Sequence, residues 1–177
     1  MKIIKWIALG LVLIVLALAS VAFLLPRHVA VSRTTAINAQ PDVVFGLVNS
    51  LQETAKWSPW LAIDPDISLT YSGPTSGVGN AQVWSSEHPN VGNGKQVITS
   101  STPNEQVISD LDFGDMGTAV AVFDLEPQGA GTLITWSFSS DMGNNPIGRW
   151  MGLMMDDWVG ADYEKGLANL KSLAEGS

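Results

Sequence analysis

Residues Ile3 to Leu25 form an apolar run in which Lys5, Trp6 and Ser20 are the only polar or amphipathic interruptions. As a helix rising about 1.5 Å per residue, such a run is long enough for the hydrocarbon core of a bilayer, which is ~30 Å thick. A single helix also satisfies its own backbone hydrogen bonds there. The rest of the chain is long enough for one domain with a substantial core. We therefore predict an N-terminal membrane anchor, residues 1–26, followed by one domain, residues 27–177.

A cleaved signal peptide is the alternative for this segment. Lys2 and Lys5 supply a positive start, and Ala17-Leu18-Ala19 fits a cleavage pattern of small residues. The apolar stretch is longer than an ordinary signal-peptide core, which favours an uncleaved signal anchor. The basic residues on its two flanks nearly balance, so they give little information on orientation. We expect a single-pass membrane protein with its domain on the extracytoplasmic, periplasmic side.

The charge of the domain limits its partners. After Pro26 there are seventeen Asp or Glu against seven Lys or Arg, since Lys2 and Lys5 of the nine basic residues precede it. A nucleic-acid binder carries the opposite sign, so we predict no nucleic-acid partner. Anionic lipid headgroups also repel such a domain on average, which argues against a peripheral lipid-surface module. The chain has no cysteine, which excludes disulfides, thiolate zinc sites and cysteine nucleophiles.

Alternating side chains predict a sheet between two helical regions. A first strand covers Val29 to Ile37, Pro41 opens a helix with an apolar stripe, and a short helix or turn covers Gln52 to Trp57. Later strands are predicted over 67–72, 79–86, 95–101, 105–113, 119–125 and 132–139, separated by turns rich in glycine and proline. After Asn145 the apolar period changes to about 3.6 residues, which predicts one long C-terminal helix. This order predicts an α+β fold in which an antiparallel sheet wraps the last helix.

Five segments together resemble a known family: Ala39 to Phe45, Trp57 to Trp60, Gly77 to Ala81, Gly131 to Trp136 and Leu167 to Leu170. They are similar to segments of the START-like helix-grip superfamily, also called SRPBCC, and most of all to its bacterial polyketide cyclase/dehydrase proteins. Several of those proteins also have an N-terminal membrane segment. The resemblance implies a cavity between the sheet and the C-terminal helix. It names no ligand, because the superfamily spans lipid transfer, ligand binding, aromatic cyclisation and ring-hydroxylating subunits.

Aromatic and methionine side chains are the candidates for lining such a cavity, and each of them also fits a packed core. Trp84 shares a face with Asn80 and Gln82, which suits either solvent or a polar pocket. Trp57 and Trp60 flank a helix-to-strand corner, which is either a cavity mouth or a structural corner. The last four candidates below share one face of the predicted C-terminal helix. The predicted ligand-binding residues are Trp57, Trp60, Tyr71, Trp84, Trp136, Phe138, Trp150, Met151, Met154 and Trp158.

Few residues are available for catalysis. His88 lies in Glu87-His88-Pro89 beside a glycine-rich turn, where it is either an exposed loop residue or an acid/base over the pocket. Asp156 and Asp157 lie in the predicted C-terminal helix. A carboxyl there would have a raised pKa and donate protons if it faced the cavity, and would otherwise be solvated. No metal-ligand spacing, nucleotide loop or serine nucleophile elbow occurs, so we predict neither a metal nor a cofactor.

These observations predict a membrane-tethered binding module that holds a small hydrophobic or lipid-like molecule and performs no chemistry on it. One alternative is a cyclase- or dehydratase-like enzyme that uses the same cavity, with His88, Asp156 or Asp157 moving a proton. Another is a tethered domain that binds a protein through the outer face of its sheet. An interior with no space for a ligand would contradict the first prediction.

Overall fold

The computed structural model describes residues 2–176, and it confirms the predicted α+β helix-grip fold. The helices are α1 (Lys2–Ala22), α2 (Pro41–Val48), α3 (Leu51–Ala55), α4 (Trp60–Ile63), α5 (Pro146–Gly152) and α6 (Met155–Glu175). The strands are β1 (His28–Ile37), β2 (Ser68–Ser72), β3 (Ala81–Ser85), β4 (Gly94–Thr102), β5 (Gln106–Asp112), β6 (Thr118–Gln128) and β7 (Gly131–Asp141).

The seven strands form one antiparallel sheet in the order β1-β7-β6-β5-β4-β3-β2. Strands β2 to β7 each pair with their neighbour in sequence, whereas β1 crosses to pair with β7 from His28 opposite Asp141 to Ile37 opposite Thr132. An irregularity between Ile98 and Ser100 interrupts the register of β4 against β5, and such bulges increase the bend of a strand. We call the face that carries the buried side chains of Ile98, Phe123 and Trp136 the inner face.

Helix α6 crosses the inner face and makes its main strand contacts with β1. Arg33 of β1 holds it there: Nε donates to Oε1 of Glu164 at 2.7 Å, and Nη1 donates to Oδ1 of Asp156 at 2.9 Å. The helix residue beside this guanidinium is Gly160, where a Cβ would collide with Arg33. These hydrogen bonds raise the pKa of Arg33 above its usual value, so the guanidinium stays charged. The close approach of α6 to β1 therefore depends on an arginine facing a glycine.

A second set of contacts holds α2, α3 and the loop before β3 in place. Val44, Val48 and Leu51 of α2 and α3 are buried in the same core as the inner-face side chains. Asn80 is fully buried just before β3, where its Oδ1 accepts from Leu51 N at 2.7 Å and its Nδ2 donates to the Pro74 carbonyl at 2.7 Å. One buried amide thus joins the start of α3 to the loop that leads into β3.

The predicted long C-terminal helix is present as α6, but it begins at Met155, and the separate helix α5 occupies the region directly after Asn145. Helix α5 ends at Gly152, and a tight turn follows in which the N–H of Met154 donates to the Met151 carbonyl at 2.9 Å. Glycine is a poor helix residue, and here it also allows contact with β1, because a Cβ on Gly152 would lie 2.8 Å from Cγ2 of Val29.

Helix α1 contains one span, Ile3–Ala22, that is long and apolar enough to cross a membrane, with a mean hydropathy of 2.5. The last turns of α1 and the residues after it are fixed to α5. Buried Arg149 donates from Nη1 to the Phe23 carbonyl at 3.0 Å and from Nε to the Gly143 carbonyl at 3.0 Å. Its guanidinium also lies over the Phe23 ring, 5.3 Å from the centroid. The joint between α1 and the domain is therefore a packed contact.

Candidate functional site

The inner faces of β2 to β5 carry a set of half-buried side chains that we call the inner-face patch. Directly opposed residues of an antiparallel pair point to the same face, so the register places Tyr71, Gln82, Gln96 and Leu111 in one row across four strands. The amides of Gln82 and Gln96 are 3.5 Å apart. The patch consists of Leu69, Tyr71, Gln82, Trp84, Gln96, Leu111 and Phe113, all of which are half-buried.

Two aromatic rings close one end of the inner-face patch. Trp84 and Phe113 meet edge to face, with their centroids 5.7 Å apart. A Cβ on Gly94 would collide with the Trp84 ring, so the strand beside that ring needs a residue without a side chain. Tyr71 is the third aromatic residue of the patch, and burial raises its pKa. The patch therefore combines aromatic surface with two side-chain amides, the mixture found in many ligand sites.

The other half of the inner face is filled by aromatic rings around Trp136 of β7. Tyr163 of α6 stacks on Trp136 with centroids 3.7 Å apart, and Phe123 lies 5.0 Å away. Trp57 and Trp60 meet the same ring edge to face at 5.4 and 5.9 Å. Burial raises the pKa of the Tyr163 hydroxyl far above its usual value. This half of the interior is packed, whereas the side chains of the inner-face patch remain half-buried.

The indole N–H of Trp136 has no hydrogen-bond partner, although the side chain is buried. The neighbouring Trp57 shows the usual arrangement, because its Nε1 donates to the Leu47 carbonyl at 3.0 Å. An unpaired buried donor costs about 1–3 kcal/mol, so such groups are rare in native proteins and need an explanation. Within the packed aromatic half of the interior, this unpaired donor is a local cost to stability.

The ten predicted ligand-binding residues separate into three groups in the structure. Trp57, Trp136 and Phe138 are core residues, and Trp60 packs half-buried against the core. Tyr71 and Trp84 belong to the inner-face patch. The four on the C-terminal helices lie elsewhere: the indole of Trp150 donates to the Leu18 carbonyl of α1 at 3.2 Å, and Met151, Met154 and Trp158 are exposed.

Of the two alternatives for Asp156, the structure shows the solvated one, because the side chain is exposed and its pKa is not raised. Its carboxylate accepts a hydrogen bond from Arg33, and this bond lowers the pKa of Asp156 below its usual value. Asp157 is exposed at the start of α6. Neither carboxyl therefore has the buried, uncharged setting that a proton donor needs.

His88 lies in the loop between β3 and β4, outside the inner face. The His88 Nδ1 accepts from the backbone N–H of Asn90 at 3.2 Å, and the backbone N–H of His88 donates to Oγ of Ser86 at 2.9 Å. The Ser86 hydroxyl in turn donates to the Asp64 carboxylate. A surface depression of about 550 Å³ borders His88 and three carboxyl side chains, those of Asp64, Asp66 and Glu87. Within the described part of the chain, no group of three His, Asp or Glu side chains could hold a metal ion.

Sequence reasoning missed Asp162 of α6. Burial raises the pKa of this carboxyl, while a hydrogen bond with Trp60 and the charge of Lys165 oppose the rise. Asp162 lies one helical turn before Gly166, which is buried against Trp136. Residues four apart share a helix face, so this spacing indicates that Asp162 lies toward the interior. Asp162 is thus a half-buried carboxyl at the edge of the aromatic half of the interior.

Comparison with known proteins places the chain among proteins of similar fold. A family model described as polyketide cyclase / dehydrase and lipid transport matches residues 28–175. The solution structure of KanY protein (ms6282) has a TM-score of 0.63 at 17% identity, covering 84% of this chain and 98% of that one. No curated protein matches the chain significantly.

Two further structures extend the comparison. The di-domain ARO/CYC StfQ from the steffimycin biosynthetic pathway has a TM-score of 0.62 at 10% identity, covering 84% of this chain and 51% of that one. The Aha1 dimer from Colwellia psychrerythraea has a TM-score of 0.55 at 20% identity, covering 83% and 96%. At these identities the likeness shows a shared fold alone.

Proposed function

Because the chain belongs to the polyketide cyclase / dehydrase and lipid transport family, whose model matches residues 28–175, we propose that it binds a small hydrophobic or lipid-like molecule over the inner-face patch while α1 anchors it in a membrane. The observation that carries this proposal is the incomplete cover over that patch. Helix α6 packs mainly on β1, and the aromatic and amide side chains of β2 to β5 remain half-buried.

A molecule lying on the patch would cover the Tyr71, Trp84 and Leu111 side chains. Removing apolar surface from water favours binding by roughly 25 cal/mol per Å². Gln82 and Gln96 offer both donors and acceptors beside this surface. These groups favour an apolar molecule that carries an oxygen function, such as a carboxyl, carbonyl or hydroxyl group.

Photo-crosslinking of the full chain in phosphatidylcholine vesicles tests this proposal. The probe is a stearic acid that carries a diazirine on its acyl chain, and peptide mass spectrometry locates the labelled residues. We expect label both in α1, from probe in the bilayer, and in the peptides of β2 to β5, from probe on the inner-face patch. Label confined to α1 would count against ligand binding, and absence of label in α1 would count against the anchor.

Two tryptophan substitutions on β5 provide a matched pair for this experiment. Leu111 points to the inner face at the β5 edge of the patch, and its neighbour Asp110 is exposed on the outer face. Leu111→Trp should fill the space and abolish sheet labelling while α1 labelling persists. Asp110→Trp adds a similar ring to the opposite face and should leave both signals unchanged. Equal sheet labelling in the two variants would show that the probe does not occupy the inner face.

A second candidate function, cyclisation or dehydration of the bound molecule, is favoured by Asp162. Its pKa is raised by burial, and a carboxyl that retains its proton closer to neutral pH can act as a general acid. In this case the carboxyl would protonate a leaving hydroxyl, water would depart, and the carboxylate would recover a proton from the substrate. Asp162→Asn would then retain a bound species heavier by one water than the species bound to the wild type. An identical bound mass in both proteins would exclude this chemistry.

A further inference from the structure

Exposed apolar side chains are concentrated where α5 turns into α6. Outside residues 1–24, the described part of the chain has ten exposed large hydrophobic residues, and five of them lie within residues 147–158. Ile147 is 70% exposed and Leu153 is 52% exposed. The other five are scattered singly along the chain, which is normal for a protein surface. We call the cluster the α5–α6 surface: Ile147, Met151, Leu153, Met154 and Trp158.

The position of this surface follows from its contacts with α1. Trp150 of α5 donates its indole N–H to the carbonyl of Leu18, at 3.2 Å, and Arg149 donates to the carbonyl of Phe23. Leu18 lies four residues before the end of the apolar span at Ala22, a distance of about 6 Å along a helix. Helix α5 therefore lies beside the last turn of α1, at the level where α1 leaves the apolar part of a bilayer.

The charge around the α5–α6 surface suits that location. The domain as a whole is strongly acidic, yet residues 142–155 contain no Asp or Glu. Their one charged side chain, Arg149, is buried against backbone carbonyls. Asp156 and Asp157 follow directly, so the acidic side chains of this surface are confined to its Trp158 end, where Asp156 is paired with Arg33 and Asp157 is exposed. Tryptophan and apolar side chains beside a membrane span are typical of the interfacial zone.

We propose that α5 and the turn into α6 lie in the headgroup region of the membrane that α1 enters, with Ile147, Met151 and Leu153 against the lipid acyl chains. The depth of amphipathic helices at such boundaries is about 5–10 Å, which agrees with the level of Leu18. This inference rests on the proposed membrane anchor. It adds that the domain has a fixed face toward the bilayer, held by the contacts of Arg149 and Trp150 with the α1 segment.

Single-cysteine labelling of the full chain tests the proposal, and the chain is suited to it because it has no cysteine of its own. The fluorophore NBD is attached at one position at a time, and the protein is reconstituted in phosphatidylcholine vesicles with or without 5-doxyl phosphatidylcholine as a quencher. Ile147→Cys and Leu153→Cys report on the α5–α6 surface. Leu11→Cys, in the middle of α1, reports on the anchor. Met116→Cys, at a 75% exposed apolar residue elsewhere on the domain, is the matched control.

We expect strong lipid quenching at positions 11, 147 and 153 and none at position 116. Quenching at 11 with none at 147 and 153 would overturn the interfacial face and leave the anchor standing. Absence of quenching at 11 would overturn the anchor, and this inference with it. Blue-shifted NBD emission at 147 that depends on protein density and resists lipid quenching would show contact with a second copy, and would also overturn the proposal.

Discussion

Replacing Gly166 by alanine should destabilise the protein, although alanine is the better helix residue. A Cβ at this position of α6 would lie 2.7 Å from Cζ3 of Trp136 and 3.2 Å from Cδ of Pro59. Trp136 cannot move away cheaply, because Tyr163 stacks on it at 3.7 Å. Forcing a methyl group into such packing costs about 1–3 kcal/mol, and the gain in helix propensity is about 1 kcal/mol. We therefore expect a net loss of up to about 2 kcal/mol in the free energy of unfolding.

Gly46 of α2 is the matched control, because a Cβ there meets nothing within 4 Å. Gly46→Ala receives the propensity gain without the collision, so it should stabilise the protein by about 0.5–1 kcal/mol. Urea unfolding of the full chain in detergent micelles, followed by near-UV circular dichroism, measures both variants. If Gly166→Ala is as stable as Gly46→Ala, then α6 does not approach Trp136 as closely as the argument requires.

Three further outcomes are expected. Asn80→Ala leaves the buried N–H at the start of α3 without its acceptor and should cost about 2–4 kcal/mol in urea unfolding, whereas a loss under 1 kcal/mol would contradict the role of this amide. The Arg27 guanidinium lowers the pKa of Asp141, so their ion pair stabilises the protein above the usual carboxyl pKa, and this stability is lost as the pH falls. The Asp141→Asn variant has no such pair to lose, so its free energy of unfolding should fall less than that of the wild type between about pH 5 and pH 2. Parallel curves of unfolding free energy against pH would contradict this. Deleting residues 1–26 should lower the thermal midpoint more than deleting residues 1–22, because the longer deletion removes the Phe23 and Leu25 carbonyls that Arg149 binds. Equal midpoints would refute that.

The sheet was predictable because its signal is local to each strand. Alternating apolar residues located β1 and β7 within one or two residues of their ends, and turns with glycine or proline separated the remaining strands. The C-terminal helix was less predictable. Its apolar spacing continues through Gly152 and Leu153, and the break between α5 and α6 depends on the packing of Gly152 against Val29 of a distant strand.

The sequence predicted the types of side chain that form the site, but it placed only some of them correctly. Tyr71 and Trp84 were predicted as separate candidates, each from the alternation on its own strand, and the register of β2 against β3 places both in the inner-face patch. The sequence could not show that Trp150 points away from this patch, because its partner is a backbone carbonyl 132 residues earlier in the chain. Nor could it show that α6 packs mainly on β1 and leaves the patch half-buried, since that depends on Arg33 binding Glu164 across the fold.

Native mass spectrometry of the full chain tests the central claim most directly. The protein is extracted without detergent into polymer-bounded lipid discs from its host membrane and is then stripped of bilayer lipid in the gas phase. Ligand binding on the inner-face patch predicts a reproducible added mass that persists in Asp110→Trp and disappears in Leu111→Trp, where the patch is filled. A folded wild-type chain that shows only its own mass, or the same adducts as Leu111→Trp, would contradict the account.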